Sequence, residues 1–233
     1  MQTSPGSVTL SIPTPSFDLR GLSEEQADAF YADAVFVGDS ISMHWRNYVT
    51  KQRQSNPAFF SGAQFLTSGS LGAANSLWPI NNESVHPLYQ GQQMQLWDSI
   101  PKTGAKKVLI MFGLNDVALY GVDKTVENMH TLMGKIKENA PDVTFYIMSA
   151  TYVQKGGEKG KLNSALLREF NEALIVYCTE NQVPFINLAD ALADTDGNLK
   201  AIYCNDGYVH HTPAAHEVWT KVLRGFAASQ LKP

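Results

Sequence analysis

Short apolar runs alternating with longer segments of helical period constrain this chain more than any other feature. That pattern arises when parallel strands, buried on both faces, are covered by helices on either side. The expected class is therefore α/β with a parallel sheet. Strands are expected at Ala34 to Val37, near Gln64 to Thr67, and at Lys107 to Phe112, Val143 to Ser149 and Val183 to Asn187. Ser23 with Gln26 three residues on forms a capping box that opens a helix before the first strand. Val126, Met129, Leu132, Met133 and Ile136 recur at helical spacing, with Pro141 closing that stretch. Leu162 to Tyr177 is a further amphipathic segment. Thr212-Pro213 caps a last helix whose core face is Val218, Trp219, Val222, Leu223 and Phe226.

At 233 residues with 44% hydrophobic residues, the chain is long enough for one sizeable core. The expected organisation is a disordered or linker-like segment at 1–16, dominated by Ser, Thr and Pro, followed by one domain over 17–233. Such a segment is compatible with what remains after an export signal is removed, so a secreted or cell-surface location stays open. A net charge of −4 without a basic block argues against nucleic acid as a partner. No run reaches the roughly 18 apolar residues of a membrane span. Cys178 and Cys204 stand far apart without ligand spacing, so neither a disulfide framework nor a zinc site is indicated. Trp78 to Gly91, with two prolines, reads as a long loop, and Gln154 to Lys161 as a mobile solvated one.

Ligands of a doubly wound sheet bind beyond the carboxyl ends of its strands, so the residues just after each strand carry the most information. The first strand runs into Gly38-Asp39-Ser40, the second into Gly69-Ser70-Leu71-Gly72 and the third into Gly113-Leu114-Asn115-Asp116. Asp206-Gly207-Tyr208-Val209-His210-His211-Thr212-Pro213 precedes the last helix. A serine hydroxyl becomes a useful nucleophile only when a base takes its proton and a partner fixes that base. Ser40, His210 and Asp206 have the chemistry for those roles. Ser40, at the start of a helix, places the positive helix end toward a developing oxyanion.

These four ordered blocks resemble the SGNH hydrolases, the GDSL-type esterases and lipases, over nearly the whole chain from about Ala34 onward. The resemblance implies a flavodoxin-like three-layer α/β/α sandwich with a five-stranded parallel sheet, and a serine esterase needing neither metal nor cofactor. It makes Ser40 the nucleophile and His210 the base. Oxyanion donors fall on the Ser40 N–H, on the Gly72 N–H with Gly69 as the alternative, and on Asn115. The family's last block is Asp-x-x-His, whereas Asp206 stands four residues before His210, leaving open whether Asp206 or a backbone carbonyl orients the imidazole. Asp39, Trp78, His86 and Tyr89 are expected to touch substrate, the last three as groups that stack on or hydrogen-bond a sugar. The expected substrate is a small acyl ester, first an O-acetyl group on carbohydrate. A lysophospholipase, a thioesterase or an O-acyltransferase using the same Ser-His pair is the alternative.

Overall fold

The computed structural model describes residues 13–232. In chain order the elements are α1 (Glu24–Ala29), β1 (Ala34–Gly38), α2 (Ser40–Gln52), β2 (Gln64–Thr67), β3 (Leu88–Tyr89), β4 (Gln92–Gln93), α3 (Leu96–Thr103), β5 (Lys107–Met111), α4 (Val117–Tyr120), α5 (Val122–Asn139), β6 (Thr144–Met148), α6 (Ser164–Asn181), β7 (Phe185–Ile186), α7 (Ala189–Leu192) and α8 (Pro213–Leu231). Five strands form one parallel sheet in the order β2-β1-β5-β6-β7, and β3 with β4 makes a separate antiparallel hairpin. The strands have the continuous apolar character that burial on both faces requires: all of β1 is buried, as are four of five residues in β5. α1, α2 and α8 pack together on one face, and α3, α5 and α6 on the other. None of these helices is long and apolar enough to cross a membrane.

From β1 the chain crosses to β2 on one side and then returns over β1 to β5 on the other. The sheet order therefore reverses between β1 and β5, and the crevice beyond their carboxyl ends is where a ligand is expected. Ser40 and Asn115 leave the sheet on its two sides.

Local chemistry explains most boundaries. The Ser23 capping box forms as expected, with both reciprocal hydrogen bonds to Gln26. Thr212 caps α8 by accepting from Ala215 N, with Pro213 in the first turn. Gly113, at φ 129°, takes the chain out of β5, and a Cβ there would lie 2.5 Å from the Phe170 ring. The last strand is shorter than the sequence implies, since only Phe185 and Ile186 pair with β6. It ends where Ser149 Oγ accepts from Leu188 N and Ala189 N, which turns the backbone into α7.

Two sequence expectations need correction. Of the linker-like segment 1–16, residues 1–12 lie outside the described residues, whereas 13–16 are packed on the sheet's edge. Asn187 donates to Pro13 O at 2.9 Å, and Gly225 of α8 leaves room for the Ser16 carbonyl. Gln154 to Lys161 is mostly exposed, as expected of a solvated loop, but its first half is tied down. Gln154 N donates to Tyr208 O at 2.8 Å, Lys155 pairs with Asp196, and Gly157 packs on the Gly207 carbonyl.

A buried ion pair joins the first and last helices. Arg224 donates two hydrogen bonds to Asp28, at 2.7 and 2.8 Å, with a further contact to Glu24. Removing one partner strands a desolvated charge, which typically costs about 3–5 kcal/mol. Arg224→Ala, which leaves the buried Asp28 carboxylate without its partner, is accordingly expected to lower unfolding stability by about that amount in urea titrations, and a loss under about 1 kcal/mol would contradict this role.

Candidate active site

Asp39 is the N-cap of α2: its Oδ1 accepts from Ile41 N at 2.9 Å, so Ser40 occupies the first helical position. Ser40 thus does not cap its own helix, and its hydroxyl is left free for other partners. Among the described residues the Ser40 N–H has no acceptor, as expected for a first-turn amide. It faces outward at the positive end of the helix.

The loop before α8 brings His210 to this point. His210 Nε2 lies 2.9 Å from Ser40 Oγ, and Nδ1 lies 2.6 Å from Asp206 Oδ2. With the proton on Nδ1, the ring donates to Asp206 and accepts the Ser40 hydroxyl proton, which is one consistent tautomer. The extra residue between Asp206 and His210 is absorbed by a turn around the carboxylate. Asp206 Oδ1 accepts from Tyr208 N, Val209 N and His210 N at 2.9, 3.0 and 3.2 Å, and Cys204 Sγ lies 3.3 Å away. One oxygen therefore folds the loop while the other meets the imidazole. Partial burial disfavours the Asp206 charge, but the His210 hydrogen bond and the Tyr208 N–H outweigh it and hold the carboxyl well below its usual range.

Asn115 arrives from the far side of the crevice. Its Nδ2 donates to Asp39 Oδ2 at 3.2 Å and to Leu71 O at 3.1 Å, linking the loops after β1, β2 and β5. The neighbouring Asp116 clamps the second loop, accepting from Ala73 N and Ala74 N at 3.1 and 3.0 Å. A Cβ on Gly72 would stand 2.5 Å from that carboxylate, whereas one on Gly69 would meet nothing within 4 Å. The close approach needs glycine at 72 and is indifferent at 69. The Gly72 N–H is engaged, donating to Asn75 Oδ1 at 2.8 Å while Asn75 Nδ2 donates to Ser70 O.

Three residues expected to touch substrate are placed otherwise. Asp39 is 1% exposed with both oxygens engaged, so it anchors the site's loops instead of meeting a ligand. Burial, with the nearby Asp116, pushes its pKa up to about 7 against the pull of the Ile41 N–H and His210. His86 is buried, its Nε2 bonded to Trp78 O at 2.9 Å, and serves to pin the loop. Tyr89 OH donates to Lys102 O in the last turn of α3, near where β5 begins, at the opposite end of the sheet from Ser40. Trp78 alone of that group is exposed.

Sequence reasoning missed Asp116 and Asn75 as organisers of the second loop, although the final Asp of Gly-Leu-Asn-Asp was a signal. The His44 ring lies 4.9 Å from the His210 ring, centroid to centroid, and burial followed by the His210 charge lowers its pKa.

Comparison with known proteins bears on the family and the fold. Residues 36–218 match the GDSL-like Lipase/Acylhydrolase family. Solved structures of similar fold include a GDSL-like lipase from Bacteroides thetaiotaomicron, with a TM-score of 0.62, 18% identity, and 84% of this chain and 88% of that one covered. A lipase/acylhydrolase from Enterococcus faecalis gives a TM-score of 0.61 at 14% identity, covering 86% and 97%. An acetyl xylan esterase gives 0.58 at 13% identity, covering 81% and 96%. In sequence, N-acylneuraminate cytidylyltransferase of Streptococcus agalactiae is 26% identical over 145 residues, 60% of this chain. The match spans about a third of that protein's length, 33%.

The depressed Asp206 pKa gives a test with a definite sign. A carboxyl whose folded-state pKa lies below its unfolded value of 3.8 contributes stability fully above that value and loses it as pH falls through the folded one. The difference in urea midpoint between the wild type and Asp206→Ala is expected to hold from about pH 7 to about pH 5 and to shrink below the usual carboxylate range. A difference that widened in acid would contradict the assigned charge.

Proposed function

Because the chain belongs to the GDSL-like lipase/acylhydrolase family and is a carboxylic ester hydrolase, we propose that Ser40, His210 and Asp206 form its catalytic relay and that its substrate is a short acyl ester, an O-acetyl group on carbohydrate. The observation that carries the catalytic assignment is the unbroken line from Ser40 Oγ through His210 to Asp206, at 2.9 and 2.6 Å.

In the first step His210 Nε2 takes the Ser40 hydroxyl proton as Oγ bonds to the ester carbonyl carbon. Asp206 stabilises the imidazolium that results and keeps it aimed. The tetrahedral oxyanion is bound by the outward-facing Ser40 N–H and by Asn115 Nδ2. An oxyanion is a stronger acceptor than the Leu71 carbonyl that this amide meets in the free protein, so it draws one amide hydrogen to itself. The Gly72 N–H joins them once Asn75 turns aside. His210 then returns the proton to the departing alcohol as the carbon–oxygen bond to it breaks, leaving Ser40 acylated. A water molecule, deprotonated by the same imidazole, attacks the acyl carbon. The acid departs and Ser40 recovers its proton.

The acetyl assignment is supported by polar groups of the loops that meet around Ser40, Asn75 and Asn115, and by His44 beside His210. They suit a small acyl group on a hydroxyl-rich leaving group better than a long alkyl chain. The acetyl xylan esterase among the structural relatives is compatible with this reading, though a shared fold does not choose a substrate. The relay performs acyl chemistry, so the activity in the cytidylyltransferase's name is not carried over.

Asn115→Ala is expected to retain measurable turnover with kcat lowered about 10²–10³-fold, the usual effect of one lost oxyanion donor. A change under about threefold would remove Asn115 from the oxyanion hole. Along a series of p-nitrophenyl esters, kcat/KM is expected to fall about tenfold or more from acetyl to octanoyl. A rise with chain length would overturn the acetyl assignment while leaving the relay intact.

A further inference from the structure

The catalytic relay leaves a row of side chains on α2 without a role. Ser40, His44, Asn47, Tyr48 and Lys51 follow one another at helical spacing and share one face of α2. Beyond Ser40 this row forms one wall of a cleft of about 300 Å³, and His211, Pro213 and His216 at the start of α8 form the other. The cleft begins beside the imidazole, since His44 lies against His210. At a rise of about 1.5 Å per residue, Lys51 stands about 16 Å along the helix axis from Ser40, the reach of a short oligosaccharide.

The chemistry of the walls is selective. Tyr48 offers a half-buried ring and Asn47 an exposed amide, whose Oδ1 accepts from Arg46 Nε and Nη2 at 3.2 and 3.1 Å. That contact leaves the Asn47 Nδ2 hydrogens to donate elsewhere. Arg46 and Lys51 have no carboxylate partner among the described residues. Glu217 acts on Tyr48. Asp206 is occupied by His210 at the other end.

The inner wall is unusual. His211 is 2% exposed and neither of its ring nitrogens has a hydrogen-bond partner, and the same holds for His216 Nε2. Buried polar atoms of this kind normally find a partner in water or a ligand. Burial lowers the pKa of both rings, that of His216 to about 4, so this wall adds no imidazolium charge to the cleft.

We propose that this cleft binds the glycan that carries the ester and selects an acidic oligosaccharide, with a sugar ring against Tyr48 and His44 and a carboxylate met by Lys51. The proposal rests on the catalytic reading of Ser40 and His210 and adds the substrate's charge and extent. A neutral chain would leave Lys51 unpaired. A carboxylated one pairs it and places its ester-bearing unit at Ser40.

The test compares O-acetylated trigalacturonate with its carboxyl-reduced counterpart, O-acetylated α-1,4-galactotriose, which differ only in their carboxylates. The wild type is expected to favour the acidic substrate in kcat/KM by roughly fivefold or more, through KM, and to lose that preference as salt is added. Lys51→Glu, a change at an exposed helical position, is expected to bring the ratio near one by raising KM for the acidic substrate. Calorimetric binding of unacetylated trigalacturonate to Ser40→Ala is expected to weaken in the Ser40→Ala/Lys51→Glu pair. Equal use of the two substrates, or a preference that survives Lys51→Glu, would overturn the proposal. Labelling of wild-type Ser40 by a fluorophosphonate separates the two levels. A protein that labels but ignores the carboxylates refutes the cleft alone, and one that does not label refutes the catalytic reading as well.

Discussion

Asp39 uses one carboxylate oxygen to begin α2 and the other to hold the Asn115 amide, so the helix carrying Ser40 and the loop after β5 share a single anchor. The crevice between β1 and β5 opens there because the sheet order reverses between those strands. Asp116 repeats the device one loop further out, gathering Ala73 N and Ala74 N and pressing on Gly72. Two buried carboxylates thus bind three loops into one surface, at the cost of keeping acidic groups out of water. Burial raises the pKa of both, to about 7 for Asp39.

His210 reaches this surface from the opposite direction, on a loop shaped by Asp206. The longer spacing between the two residues would be awkward if the carboxylate had only the imidazole to satisfy. Three backbone N–H groups on its second oxygen make the turn itself, so the spacing follows from local hydrogen bonding. The Gln154 and Gly157 backbone packs against this loop from outside. The position of the His210 ring is therefore supported by residues that do not touch it.

Much of this was readable in advance wherever local chemistry decides the outcome. The apolar runs of β1, β5 and β6, the Ser23 capping box and the Thr212-Pro213 helix start depend on neighbours within a few residues. The blocks that resemble the family's pointed to Ser40 and Asn115, which follow parallel strands and so converge, and to His210 just before the last helix. Reading failed where a side chain's partner lies far along the chain or in another element. His86 and Tyr89 look like sugar-binding groups in sequence, yet one is buried against Trp78 O and the other is bonded to Lys102 O. Asp39 sits beside Ser40 and looks available, but α2 and Asn115 consume both its oxygens. The roles of Asp116 and Asn75 depend on loops meeting across the sheet. The α2 cleft was legible only in part, since the helical spacing of His44, Tyr48 and Lys51 says nothing of the unpartnered histidines opposite.

The central claim is that the imidazole at position 210 makes the hydroxyl at position 40 an acyl acceptor. Rapid acid quench after mixing the protein with a chromogenic acetyl ester, followed by peptide mass analysis, tests it most directly. The account predicts one added acetyl group on the peptide containing Ser40, formed in a burst with the released phenol and absent in His210→Ala. An acetyl group found on another residue, or the same labelling of Ser40 without His210, would contradict it.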